Sequence, residues 1–149
     1  MPFSTSGRPR VADPRHRRGL IDTSVVIDLG EIDATDLPSE IAISAVTLAE
    51  LAAGPHATAD ADERARRQDR LQRTEATFES LPVDGSVARA YGRVYAAVVA
   101  AGGRARGRRA FDLLIAATAL ARELPLYTRN PGDFRELDGL LEVVSVPPT

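Results

Sequence analysis

The chain has 149 residues, 44% hydrophobic and 27% charged, with a formal net charge of −2, a composition expected of one soluble globular domain with a real core and no global attraction to nucleic acid. No apolar run approaches the roughly 18 residues of a membrane span, and cysteine and lysine are both absent, all 19 basic residues being arginine. Disulfides, thiolate metal sites and a lysine-dependent P-loop are thereby excluded, and a reducing cytoplasm is the expected location.

Residues 1–18 hold three prolines and five arginines without periodicity and read as a disordered basic tail, with no apolar stretch resembling a secretory signal. Residues 19–149 read as a single domain. LIDTSVVID, Leu20 to Asp28, is a buried strand ending on Asp22, with Thr23 or Ser24 starting a short helix. A second strand is expected over Ile41–Ser44, followed by a helix that stops before Gly54-Pro55. Asp60 to Ser80 is strongly helical, with Leu71 and Phe78 at seven-residue spacing and its arginines on a solvated or phosphate-binding face. Leu81-Pro82-Val83 reads as a third strand. Ser86 is expected to cap a helix running to about Ala101, with Val87, Tyr91, Val94, Tyr95 and Val98 as its packing stripe. Arg104 to Arg109 is a basic loop, and Ala110 to Glu123 the most apolar helix. Leu124–Thr128 is a strand, Asp133–Leu137 a helical turn after Asn130-Pro131-Gly132, and Leu141–Val146 the last strand. Short strands alternating with helices imply an α/β sandwich: a mostly parallel sheet with helices on both faces.

Four acids stand where solvation is not the obvious reason: Asp22 at a strand end, Glu50 inside an Ala/Leu/Val helix, Asp112 between Phe111 and Leu113, and Asp133 after a turn. Singly, each is explained by capping, exposure or turn chemistry. Jointly, parallel α/β topology gathers strand ends and helix starts at one edge, where carboxylates repel. Two charges about 4 Å apart cost about 4 kcal/mol at an effective dielectric near 20. Such a group takes up protons or a cation. Oxygen ligands without Cys or His favour Mg²⁺ or Mn²⁺, ions suited to phosphodiester hydrolysis. The two histidines, His16 and His56, fall in the tail and in a Gly-Pro loop and support neither a zinc site nor a Ser-His-Asp triad.

LIDTSVVIDL, ISAVTLAELAAG, FDLLIAATAL and LYTRNPGDF, in this order and spacing, resemble the PIN-domain ribonucleases, and more closely the VapC toxins of bacterial toxin–antitoxin pairs. The resemblance runs from about Gly19 to Val146. It implies a compact three-layer α/β/α PIN fold with a short sheet, and Mg²⁺- or Mn²⁺-dependent endoribonuclease activity. It also implies a cognate VapB-type antitoxin and a homodimer. Matched position by position, it assigns Asp22, Glu50, Asp112 and Asp133 as catalytic metal-binding acids. Ser24, Thr128 and Asn130 match polar neighbours of the site. Arg108 and Arg109, just before Asp112, are candidates for holding RNA phosphate. The basic tail is longer than the family's usual N-terminus, and Asn130 stands where some PIN domains have an acid, which leaves the second metal position open.

Two rivals remain at this stage. A phosphatase using Asp22 as nucleophile resembles the haloacid-dehalogenase-like enzymes, but these want a second Asp where Ser24 stands and a lysine that this chain lacks. The other rival is a non-catalytic PIN-like module that binds RNA or protein.

Overall fold

The computed structural model describes residues 17–147. The expected tail therefore lies outside the described residues apart from Arg17 and Arg18, and Arg18 already belongs to the first strand. Five short strands form one sheet: β1 (Arg18–Ile21), β2 (Glu40–Ser44), β3 (Glu79–Leu81), β4 (Leu126–Thr128) and β5 (Val143–Ser145). Their order is β3-β2-β1-β4-β5, and every pair is parallel. Helices α1 (Thr23–Ile27), α2 (Ala45–Ala53), α3 (Ala61–Thr77), α4 (Gly85–Ala100) and α5 (Arg108–Ala121) cover the two faces, with 3-10 turns between, one of them at Pro131–Leu137.

Period-two alternation along the strands builds two cores. Leu20, Ala42, Leu81 and Leu126 point to one face, where Val87, Val94 and Val98 of α4 and Leu113, Ile115 and Ala116 of α5 meet them. Ile21, Ile43 and Tyr127 point to the other, against Val25 and Val26 of α1, Leu51 of α2 and Leu71 of α3. The result is the expected α/β/α sandwich, with a sheet that is parallel throughout. Among the described residues, no helix is long and apolar enough to cross a membrane.

Several boundaries differ from the sequence expectation, each for a local reason. The third strand ends at Leu81 instead of beginning there, because Pro82 has no N–H to give a ladder. It starts at Glu79, and α3 accordingly stops at Thr77 with Phe78 extended as its C-cap. Asp84, not Ser86, caps α4 by accepting from the Val87 N–H at 3.0 Å. Arg108 and Arg109 are not loop residues: Gly107, at φ +70°, turns the chain so that α5 begins with them. Tyr95 does not pack into the core. It lies one residue, about 100° of helix, from buried Val94 and is 48% exposed, its ring 6.1 Å from that of Tyr91.

Candidate active site

From β1 the chain steps to β2 and β3 on one side of the sheet and later to β4 and β5 on the other. The strand order therefore reverses between β1 and β4. Helices leaving adjacent strands in opposite directions open a crevice at the carboxyl ends, the usual place for a ligand in an open parallel sheet. Asp22 ends β1 and Thr128 ends β4, so both stand at this point.

Asp22 is 6% exposed. Burial raises its pKa, and hydrogen bonds oppose that rise. Its side chain accepts from the Val25 N–H at 3.2 Å, so it caps α1, a role expected for Thr23 or Ser24. Capping and a place in the crevice are thus one geometry. Two hydroxyls complete the hold. Ser24 donates to Asp22 Oδ1 at 2.6 Å while accepting the Arg129 N–H at 3.1 Å. Thr128 donates to the same carboxylate and accepts the Asn130 N–H at 3.0 Å. Each hydroxyl has one proton to give and lone pairs to receive. The backbone after β4 therefore fixes both donors, and both are aimed at Asp22. Asn130 contributes its main chain here; its side chain is exposed.

Glu50 is half-buried on α2. Thr23 donates to Glu50 Oε1 at 2.5 Å and lies 3.0 Å from Thr47 Oγ1. With its single proton given to Glu50, Thr23 accepts from Thr47, which is fully buried. Neither Thr23, expected only as a helix start, nor Thr47 was a site candidate from the sequence, although Thr47 precedes Glu50 by three positions on one helix face, where side chains meet.

Asp112 is half-buried in the first turns of α5. Its carboxyl is pushed up from 3.8 to about 6, by burial first and then by the charges of Glu50, Asp133 and Asp22, with Arg109 opposing. The other three sequence-predicted acids therefore all act electrostatically on Asp112. Asp133 is exposed, on the turn that follows β4. Arg109 holds that turn: its guanidinium donates to the Asp133 carbonyl and, at 2.7 Å, to Glu136 Oε1. Arg109 is thus engaged in structure, while Arg108 is exposed to a groove beside Glu50. Glu136, the partner that steadies Arg109, was also not foreseen; nothing local in the sequence joins two positions that meet only in space.

Among the described residues, no three acidic or histidine side chains are already gathered as a ready metal cage. The donor set nevertheless fits a hard divalent cation. It is made of carboxylate oxygens, burial and the other three acids raise the proton affinity of Asp112, and hydroxyls hold Asp22 and Glu50 in place.

The chain belongs to the PIN-domain family, whose family model matches residues 19–140. Within it, the chain is of the VapC type. It is similar to ribonuclease VapC5 of Mycobacterium tuberculosis, at 41% identity over 128 residues, 84% of this chain and 91% of that one. It is also similar to ribonuclease VapC8 of the same species, at 40% identity over 102 residues, 68% of this chain and 89% of that one. A crystal structure of VapBC-5, a member of the VapBC family of toxin–antitoxin systems from Mycobacterium tuberculosis, superposes with a TM-score of 0.75 and 39% identity. The match covers 88% of this chain and 98% of that one.

Proposed function

We propose that this protein is the toxin of a toxin–antitoxin pair and a Mg²⁺- or Mn²⁺-dependent endoribonuclease of the cytoplasm. The observation that carries the reading is the pressure of Glu50, Asp133 and Asp22 on Asp112 at the reversal point of the sheet. Asp22, Glu50, Asp112 and Asp133 are the residues that would hold the ion. When bound, the ion supplies a more acidic water and neutralises charge gathering on the scissile phosphate.

The chain's own groups set the stage for that chemistry. Ser24 and Thr128 fix the rotamer of Asp22, and the Thr47–Thr23 pair fixes Glu50, so that their oxygens face the crevice without reorganisation on binding. Asp112, with a carboxyl near 6, can hold or release a proton close to neutral pH. Arg109 keeps the Asp133 turn against α5, and Arg108, held by no ion pair among the described residues, is placed to receive a substrate phosphate. The similarity to a VapBC assembly supports a VapB-type antitoxin as partner. A homodimer is the proposed assembly; the exposed Tyr95 and Val99 on α4 supply apolar surface for it.

A non-catalytic RNA- or protein-binding module is the second reading, favoured by the lack of a ready metal cage among the described residues. One experiment separates the two. Purified protein, freed of antitoxin, is incubated with total cellular RNA and Mg²⁺ or Mn²⁺, with and without EDTA, beside Asp112→Asn. Discrete fragments that require both metal and Asp112 are expected. Binding without cleavage under either metal would favour the module, and full cleavage by Asp112→Asn would refute the site assignment.

A further inference from the structure

Beside Glu50 and Thr23 lies a groove of about 520 Å³ walled by α1, α2, α3 and α5. Its size is that of a ligand cleft. Two large apolar side chains in it are open to solvent: Phe111 of α5, 49% exposed, and Ile27 of α1, 47% exposed. Phe111 lines the same groove as Glu50 and Thr23, which places the ring beside one of the candidate acids. Folding alone gives no reason to leave a phenylalanine half in water there.

The arginines of this groove and of the adjoining face of α3 divide into two kinds. Arg66 and Arg67 are held by Glu63 at 2.9 and 2.8 Å, and Arg73 by Asp69 at 2.8 Å. Among the described residues, no ion pair or hydrogen bond holds the guanidinium of Arg70 or of Arg108. Arg108 lies three positions before Phe111 on α5, on the same helix face. Arg70 faces it from α3 and also lines a second groove, of about 390 Å³, that shares Ile27 and continues along α3 to Thr74. Two uncommitted cations thus share a groove with an open aromatic ring, in a chain whose net charge is −2. Phosphate-binding arginines beside a stacking platform are the equipment of single-strand nucleic-acid binding. A base already stacked inside a duplex cannot lie on that ring. The groove also takes in Glu50 and Thr23, so a strand lying along it reaches the candidate active site.

We propose that this groove is the subsite for unpaired RNA next to the scissile bond, with Phe111 stacking on a base and Arg70 and Arg108 gripping the adjoining phosphates. The proposal rests on the ribonuclease reading. It adds Phe111 and Arg70 as specificity-determining residues and assigns part of the arginine-rich face of α3 to substrate.

The test measures the binding of a short fluorescein-labelled single-stranded RNA of mixed sequence by anisotropy, in an Asp112→Asn background so that RNA is held and not cut. Phe111→Leu keeps the apolar bulk and loses the ring; it is expected to weaken binding about tenfold or more, with Phe111→Trp restoring it. Arg70→Gln and Arg108→Gln are each expected to lower the magnitude of the salt slope by about 0.7. The same RNA annealed to its complement should be insensitive to Phe111→Leu. All these positions are at least partly exposed, and thermal unfolding confirms that each variant is folded.

If the parent chain cleaves total RNA and its Asp112→Asn form binds the probe, yet Phe111→Leu and Arg70→Gln change neither affinity nor salt slope, the groove assignment is overturned and the ribonuclease reading stands. If the variants keep RNA affinity but escape inhibition by the antitoxin, the groove is a protein-docking site and the proposal again falls. If the parent chain neither cleaves nor binds RNA, the ribonuclease reading itself has failed, and the proposal with it.

Discussion

Replacing Asp112 by asparagine separates charge repulsion from catalysis, because the same change that removes activity should stabilise the metal-free fold. Asparagine has nearly the shape of aspartate and no charge to bury or to place beside Glu50, Asp133 and Asp22. A carboxyl raised from 3.8 to about 6 corresponds to about 3 kcal/mol at about 1.36 kcal/mol per pKa unit. Asp112 is only half-buried, and screening by water reduces that to about 1–1.5 kcal/mol. The sign follows from proton linkage. Between 3.8 and about 6 the folded state binds more protons than the unfolded chain, so the stability from this group is present below the lower value and is lost as pH rises through the upper one. In EDTA, the melting temperature of the parent chain should therefore fall relative to that of Asp112→Asn across this window and stay lower at neutral pH, by about 3–5 °C for a domain of this size. Thermal unfolding by circular dichroism from about pH 4.5 to about pH 8 reads the difference. Added Mg²⁺ should then raise the parent's midpoint and leave the variant's nearly unchanged, since a ligand of the folded state stabilises by mass action. An Asp112→Asn protein less stable than its parent in EDTA at neutral pH would mean that burial and the neighbouring carboxylates do not disfavour the charge at Asp112 as described.

Three further outcomes follow from the same geometry. Thr23→Val removes the hydroxyl between Thr47 and Glu50; the Mg²⁺ concentration needed for half-maximal cleavage should rise by about 10-fold or more, with Thr23→Ser restoring it, as is usual for groups that orient metal ligands. An unchanged Mg²⁺ titration would show that Glu50 needs no such positioning. Arg109→Ala removes the cation that opposes the rise at Asp112 and frees the Asp133 turn, so the acidic limb of the pH–rate profile should move to higher pH; a limb that stays in place counts against the assignment. Gly19→Ala would put a Cβ 2.6 Å from the buried Tyr127 ring, and overpacking of that kind costs about 1–3 kcal/mol. Urea unfolding should show the loss, and a midpoint equal to the parent's would contradict the close approach of β1 and β4.

Much of this protein was legible in its residues. Alternation along Leu20-Ile21 and Ala42-Ile43, the polar breaks between elements and the helical stripe of Val87, Val94 and Val98 are local signals, and they determined the elements and the α/β class. The four acids were also visible: Asp22, Glu50 and Asp112 interrupt apolar contexts, and Asp133 follows a turn at the position where the family resemblance puts the fourth acid. Boundaries were less secure wherever a backbone group decided them: Pro82 ended a strand that side-chain pattern would have continued, and Gly107 started α5 two residues early. Local propensity cannot decide which cap wins, and at α4 Asp84 did so over Ser86.

What only the tertiary structure decided is how distant residues use one another. The strand order put Thr128 beside Asp22, more than a hundred residues away, and made the Arg129 and Asn130 N–H groups the anchors of Ser24 and Thr128. It set Arg109 on the Asp133 turn and paired Thr23 with Glu50 across two helices. Arg70 and Phe111 share a groove although 41 positions separate them in the chain. The physical reason is one of range: side-chain periodicity and capping act over a few residues, whereas a hydroxyl's single proton, a carboxylate's repulsion and a guanidinium's freedom depend on neighbours that only the folded sheet supplies.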